Sequence, residues 1–100
     1  QDLGTDLVFR DKQGLIWAVQ TKCYSEHRTT TKGDLNSFLA DTGRRDVHRR
    51  LWIQTTNKME VKAEKTLKGQ EKPVTVLQLN DFRGAFLPSM TRTRTCLGKR

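Results

Sequence analysis

No stretch of the 100 residues approaches the ~20 consecutive apolar positions of a membrane-spanning helix, and the start has no charged-then-apolar leader pattern. Those absences point to a soluble, cytoplasmic protein with no membrane partner. Cysteine is scarce: Cys23 and Cys96 lie far apart, with no CxxC spacing and no paired histidine, which argues against a disulfide framework and against a zinc site. The sequence contains neither a GxxxxGK[ST] phosphate loop nor a glycine-rich dinucleotide fingerprint, so nothing in it suits ATP hydrolysis or methyl transfer. Acidic residues are also few. Eleven Asp and Glu stand against nineteen Lys and Arg, for a formal charge of +8 and a pI near 10.0. A polyanion is the partner such a balance favours. With 34% hydrophobic residues, the chain can form one domain with a small core.

What is present is concentrated in residues 5–24. Thr5 to Arg10 alternates so that Asp6, Val8 and Arg10 share one face and Leu7 and Phe9 the other. Leu15 to Tyr24 places Ile16, Ala18, Gln20 and Lys22 together, opposite Trp17, Val19, Thr21 and Cys23. A hairpin loop at Lys12-Gln13-Gly14, with Gly14 left-handed, pairs Asp11 with Leu15. In that register Phe9 meets Trp17, Leu7 meets Val19 and Asp6 falls opposite Gln20, with Lys22 two residues further on the same face. A one-residue slip would destroy the apolar pairing, so the apolar and polar sets support one register.

One carboxylate, one amide oxygen and one ammonium then converge, a set suited to phosphodiester hydrolysis. In such a set Asp6 would hold a hard divalent cation, Gln20 and the Thr21 carbonyl would add neutral oxygens, and Lys22 would orient water and steady charge on the phosphate.

Downstream, Thr31 to Asp34 reads as a capping box for a helix with an apolar stripe at Leu35, Phe38 and Leu39, stopped by Gly43. Arg44, Arg45, Arg49 and Arg50, with His48, form a basic cluster before a buried strand at Leu51 to Thr55. These four arginines, with His27 in the loop after the hairpin, are the candidate DNA contacts. Asn57 caps a second helix ending near Lys68, on the outer side of the sheet, and Val74 to Leu79 forms the last strand. Residues 83–100 contain no acidic residue and no sustained periodicity, so they read as a mobile basic tail after a domain at 1–82.

The pattern Asp6 with Gln20-Thr21-Lys22 resembles the D…QxK motif of PD-(D/E)XK nucleases of the Mrr type. The runs WAVQTKCY, KGDLNSFLADTG, RRLWIQTTNKMEVKAEKTLKGQ and PVTVLQLNDF are similar to the N-terminal nuclease domain of type ISP, helicase-linked restriction enzymes. The resemblance implies an α/β, restriction-endonuclease-like three-layer fold: a mixed four-stranded sheet flanked by helices, with the leading helix missing from this sequence. It also implies a Mg²⁺-dependent endodeoxyribonuclease acting on double-stranded DNA, with Mn²⁺ as an alternative ion, and motor and methyltransferase domains in a larger polypeptide. Two other readings stand beside it: an inactive DNA-binding module of the same fold, and a small RNA-binding accessory protein.

Overall fold

The computed structural model describes residues 5–83. In chain order these form β1 (Leu7–Arg10), β2 (Ile16–Lys22), α1 (Lys32–Asp41), β3 (Arg49–Gln54), α2 (Val61–Lys68) and β4 (Val74–Leu77), and residues 79–83 are again helical. The strands make one mixed sheet in the order β1-β2-β3-β4, with β1 antiparallel to β2 and the other neighbours parallel. The expected α/β architecture with a mixed four-stranded sheet is present.

The hairpin has the expected register: Leu7 opposite Val19, Val8 opposite Ala18 and Phe9 opposite Trp17. Gly14 sits at φ 86°, a conformation that would strain any other residue, and Asp11 N–H bonds the Leu15 carbonyl at 2.9 Å. The Asp11 carboxylate then organises the turn, accepting from the N–H groups of Gln13 and Leu15 and from Trp17 Nε1, each at 2.9 Å. Those donors, led by the Trp17 indole and the Leu15 amide, hold the Asp11 carboxyl below its ordinary value of 3.8. A depressed carboxyl stabilises the fold above the unfolded-state pKa and loses that contribution as pH falls through the folded one. The urea midpoint of wild type should therefore exceed that of Asp11→Asn near neutrality. The gap should close below about pH 4; a gap independent of pH would exclude this role.

Thr31 and Asp34 close both halves of the expected capping box on α1. The helix ends at Asp41, two residues before Gly43, because Thr42 leaves helical geometry at φ −102° and ψ 8° while its N–H makes the last helical bond, to the Phe38 carbonyl. Leu35 and Phe38 of α1, Trp52 of β3 and Ala63 of α2 form the buried core, with Leu39, Met59, Leu67, Val74 and Val76 packed around it. Since Trp52 projects to one side of the sheet, α1 and α2 lie side by side on that face, rather than α2 occupying an outer side of its own.

Several boundaries differ from the sequence expectation, β3 among them, which begins at Arg49 rather than Leu51. α2 begins at Val61 behind Glu60, because Asn57 Oδ1 is engaged by Asn80 N–H at 2.8 Å instead of capping a helix. β4 stops at Leu77, where Gln78 N–H turns to the Asp81 carboxylate and the chain becomes helical at residue 79. Cys23 is disulfide-bonded, which corrects the expectation of no disulfide; Cys96 lies outside the described residues, as do residues 84–100 of the expected tail.

Candidate active site on the β-hairpin

The hairpin register holds as far as Leu7 opposite Val19 and breaks one residue earlier, so Asp6 does not stand squarely opposite Gln20 as the sequence register expects. There the chain bends: Asp6 N–H bonds the Val19 carbonyl at 2.9 Å, and its carboxylate accepts from the Thr21 N–H at 2.8 Å. Asp6 thus lies against the Gln20–Thr21 peptide. Just before it, Thr5 Oγ1 donates to the Asp41 carboxylate at 2.6 Å, which ties the start of the hairpin to the end of α1.

Gln20 is 2% exposed, and its Oε1 is buried with no hydrogen-bond partner. A buried amide oxygen left unsatisfied costs about 1–3 kcal/mol, and such atoms in folded proteins commonly face an ion or an ordered water. A neutral oxygen acceptor beside a carboxylate is the donor chemistry a hard cation takes. The residues therefore fit the metal that the motif implies. Among the described residues no group of three or more His, Cys, Asp or Glu could hold a metal, so Asp6 is the anionic member of this set.

Lys22 stands opposite Gln54 in β3, on the same face as Gln20 opposite Trp52, and its Nζ lies 5.9 Å from the Trp52 ring centroid. Trp52 and the packed helices thus give the ammonium a fixed apolar backing. Beyond Lys22, Tyr24 stacks under the Arg28 guanidinium at 3.8 Å, and Arg28 pairs with Asp34 at 2.9 Å. Burial, then the nearby Asp34 charge, raises the Tyr24 phenol above its ordinary value. His27 is strongly exposed in the loop at this same end of the sheet, 3.8 Å from Glu26.

The arginine cluster does not join this constellation. Arg49 is level with Trp17, five residues before Lys22 along parallel strands, which separates them by roughly 16 Å. Arg44, Arg45 and Arg49 are exposed, and Arg44 pairs with Asp46 at 3.2 Å. Arg50 is not a surface residue: it is 3% exposed, and its guanidinium donates to Thr42 Oγ1, Gln70 Oε1 and the Lys72 carbonyl. Adjacent strand residues face opposite ways, so Arg49 turns outward where Arg50 turns into the helix-covered side. Arg50 is a structural cation, which corrects its assignment to DNA contact. His48 is likewise structural, its Nδ1 accepting from Ile16 N–H at 2.8 Å.

Asp11 and Gln54 matter to this region, yet neither stands out in the sequence as a site residue. The spacing of Asp11 three residues before Gly14 is the available signal for an Asx-type turn. Gln54 carries none, since it reads as one more position in an apolar strand.

The sequence model described as restriction endonuclease matches residues 1–89. Among solved structures, the ATP-dependent Type ISP restriction-modification enzyme LlaBIII bound to DNA is similar at 29% identity and a TM-score of 0.69. That match covers 79% of this chain and 5% of LlaBIII. The DNA modification-dependent restriction endonuclease AspBHI shares the fold, with a TM-score of 0.62 and 16% identity over 92% of this chain and 24% of that one. No curated protein matches. The chain thus spans a small part of the length of either solved relative. With the family match extending over most of its length and the hairpin in the register of the motif, the chain belongs to the restriction endonuclease family.

Proposed function

We propose that the chain is a metal-dependent endonuclease domain that hydrolyses phosphodiester bonds of double-stranded DNA as part of a restriction system. The observation that carries this reading is the buried, unpartnered Gln20 Oε1 on the residue next to Thr21, whose N–H the Asp6 carboxylate accepts. Asp6, Gln20 and the Thr21 carbonyl would hold Mg²⁺, or Mn²⁺ in its place. When bound, the cation supplies Lewis acidity at the phosphate and favours ionisation of the attacking water. Lys22 positions that water and offsets charge developing on the phosphate. His27, at the same end of the sheet, contacts the flanking backbone. A restriction system meets its DNA in the cytoplasm, and the likeness to LlaBIII, an ATP-dependent restriction-modification enzyme, supports motor and methyltransferase domains as partners.

Plasmid nicking is the direct test, with Mg²⁺, with Mn²⁺ and with a chelator. Cleavage that needs the metal and stops with chelator is expected. DNA binding with no cleavage under either metal would overturn the catalytic reading and leave an inactive DNA-binding module, the neutral Gln20 being the feature that favours it.

Arg44, Arg45 and Arg49 extend the interface along the phosphate backbone away from the scissile bond. Replacing all three by glutamine should weaken duplex binding at low salt. It should also flatten the log–log salt dependence by up to about 3, roughly one for each phosphate that no longer meets a guanidinium. An unchanged salt slope in a filter-binding series would remove the cluster from the interface.

A further inference from the structure

The loops at the end of the sheet where β2 finishes in Lys22 are laced together by hydrogen bonds. Thr55, the residue after β3, gives its N–H to the Lys22 carbonyl at 3.1 Å, and Thr56 Oγ1 donates to the Arg28 carbonyl at 2.7 Å. Thr30 then bridges to Met59: its N–H bonds the Lys58 carbonyl at 3.0 Å, and its carbonyl takes the Glu60 N–H at 2.9 Å. The segment leading into α1 therefore runs beside the segment leading into α2. Lys32 N–H completes the junction on the Glu60 carboxylate, at 2.8 Å.

This junction gathers Lys32, Lys58 and Lys62, all three exposed and none in an ion pair among the described residues. The carboxylates held there are already engaged, Glu60 by the Lys32 N–H and Asp34 by Arg28 and the Thr31 N–H. Helix energetics gives no reason for these cations. Lys32 is the first residue of α1 and Lys62 the second of α2, where a positive charge opposes the helix macrodipole. Gathering like charges at one junction adds repulsion. Residues that cost local stability are the ones expected to serve binding. An apolar partner finds little here: among the described residues Val61 is the one large apolar side chain exposed at the junction, the other three lying on β1.

We infer that Lys32, Lys58 and Lys62 form a phosphate-binding surface for duplex DNA at the active-site end of the sheet. The inference rests on the reading of the chain as an endonuclease domain for duplex DNA, and names the residues that hold the duplex beside the cut. Arg44, Arg45 and Arg49 lie at the other end of the strands, so they alone would grip it away from Lys22. Lysine suits the task, because a compact charge on a flexible stem follows the phosphates without reading bases.

Filter binding of a short DNA duplex, without divalent metal, tests this surface. Replacing the three lysines by glutamine should flatten the log–log salt dependence by about 3, roughly 0.9 for each lost phosphate contact, and weaken binding about 10²-fold near 0.1 M salt. The urea midpoint of the variant should not fall below that of wild type, since two of the cations removed oppose helix dipoles. Acylation by a water-soluble succinimidyl ester, read by peptide mass, locates the contact. Bound duplex should protect Lys32, Lys58 and Lys62, but not the exposed Lys12 in the hairpin turn or Lys68 at the far end of α2. A salt slope equal to that of wild type would overturn the inference. So would protection no greater at the three lysines than at Lys12 and Lys68, or protection by single-stranded RNA with none by duplex DNA. A chain that shows the footprint yet never cleaves with metal fails the catalytic reading and leaves this surface standing.

Discussion

Asp6→Ala should abolish plasmid cleavage and calorimetrically detectable metal binding, while leaving duplex DNA affinity equal or slightly higher. The substitution removes the anionic member of the proposed set, and two neutral oxygens hold a divalent cation poorly. It also removes an acceptor for the Thr21 N–H, so some loss of hairpin order accompanies it. Asp6→Asn separates the two effects, because an amide oxygen can still accept from Thr21 but carries no charge. DNA affinity is the control for both variants: removing a negative charge from a basic surface does not weaken binding to phosphate. Lys22→Ala should behave differently, keeping most metal binding but lowering the single-turnover rate by about 10² to 10³, the scale of one positioned electrostatic stabiliser. Gln20→Glu should tighten the metal, since a second carboxylate then meets the cation. Metal-free, the same variant should be less stable than wild type, because a glutamate charge would be buried where Gln20 Oε1 meets no donor. Cleavage by Asp6→Ala at the wild-type rate would rule out the site.

Much of this site could be read in the sequence because two independent patterns demand one register. The apolar pairs Leu7–Val19 and Phe9–Trp17 and the left-handed Gly14 specify the same pairing; counting on from it does not place Asp6, whose N–H turns to the Val19 carbonyl where the chain bends. The basic cluster was legible as charge but not as position. Because β3 runs parallel to β2, the connection that precedes β3 lies at the start of β2, at the far end from Lys22. Side-chain direction was lost with the strand boundary: once β3 begins at Arg49, alternation sends Arg50 inward to Thr42 and Gln70, but a strand placed from Leu51 leaves both arginines in a loop. The start of α2 was hidden for another reason. Asn57 is a good cap by type, but its carboxamide is claimed by Asn80, twenty-three residues away, and no local pattern records that competition.

The same limit hides the residue whose loss should destabilise the domain most. Gln54→Leu should cost about 3–5 kcal/mol, the range for breaking a buried polar network. Gln54 is fully buried at the end of β3, where its Oε1 accepts from Trp52 Nε1 and Thr30 Oγ1, both at 2.9 Å. Its Nε2 donates to the Thr56 carbonyl at 3.0 Å. Leucine matches the volume closely enough that no large cavity opens, so the penalty comes from polar groups left without partners. The indole N–H and the Thr30 hydroxyl are donors in buried residues, and each stranded group costs about 1–3 kcal/mol. Thr30 also bridges to Met59, so the loss reaches the segment that leads into α2. Against the ~5–15 kcal/mol of a typical domain, that removes a large fraction of total stability. Trp52→Phe, which deletes one of the two donors to Gln54 while keeping an aromatic ring against Phe38, should cost less. The double variant should be less destabilised than the sum of the two singles, because the indole N–H cannot be stranded twice. Urea melts of the two singles and the double measure that coupling. Strict additivity would mean that the Trp52 indole N–H is not stabilised through Gln54.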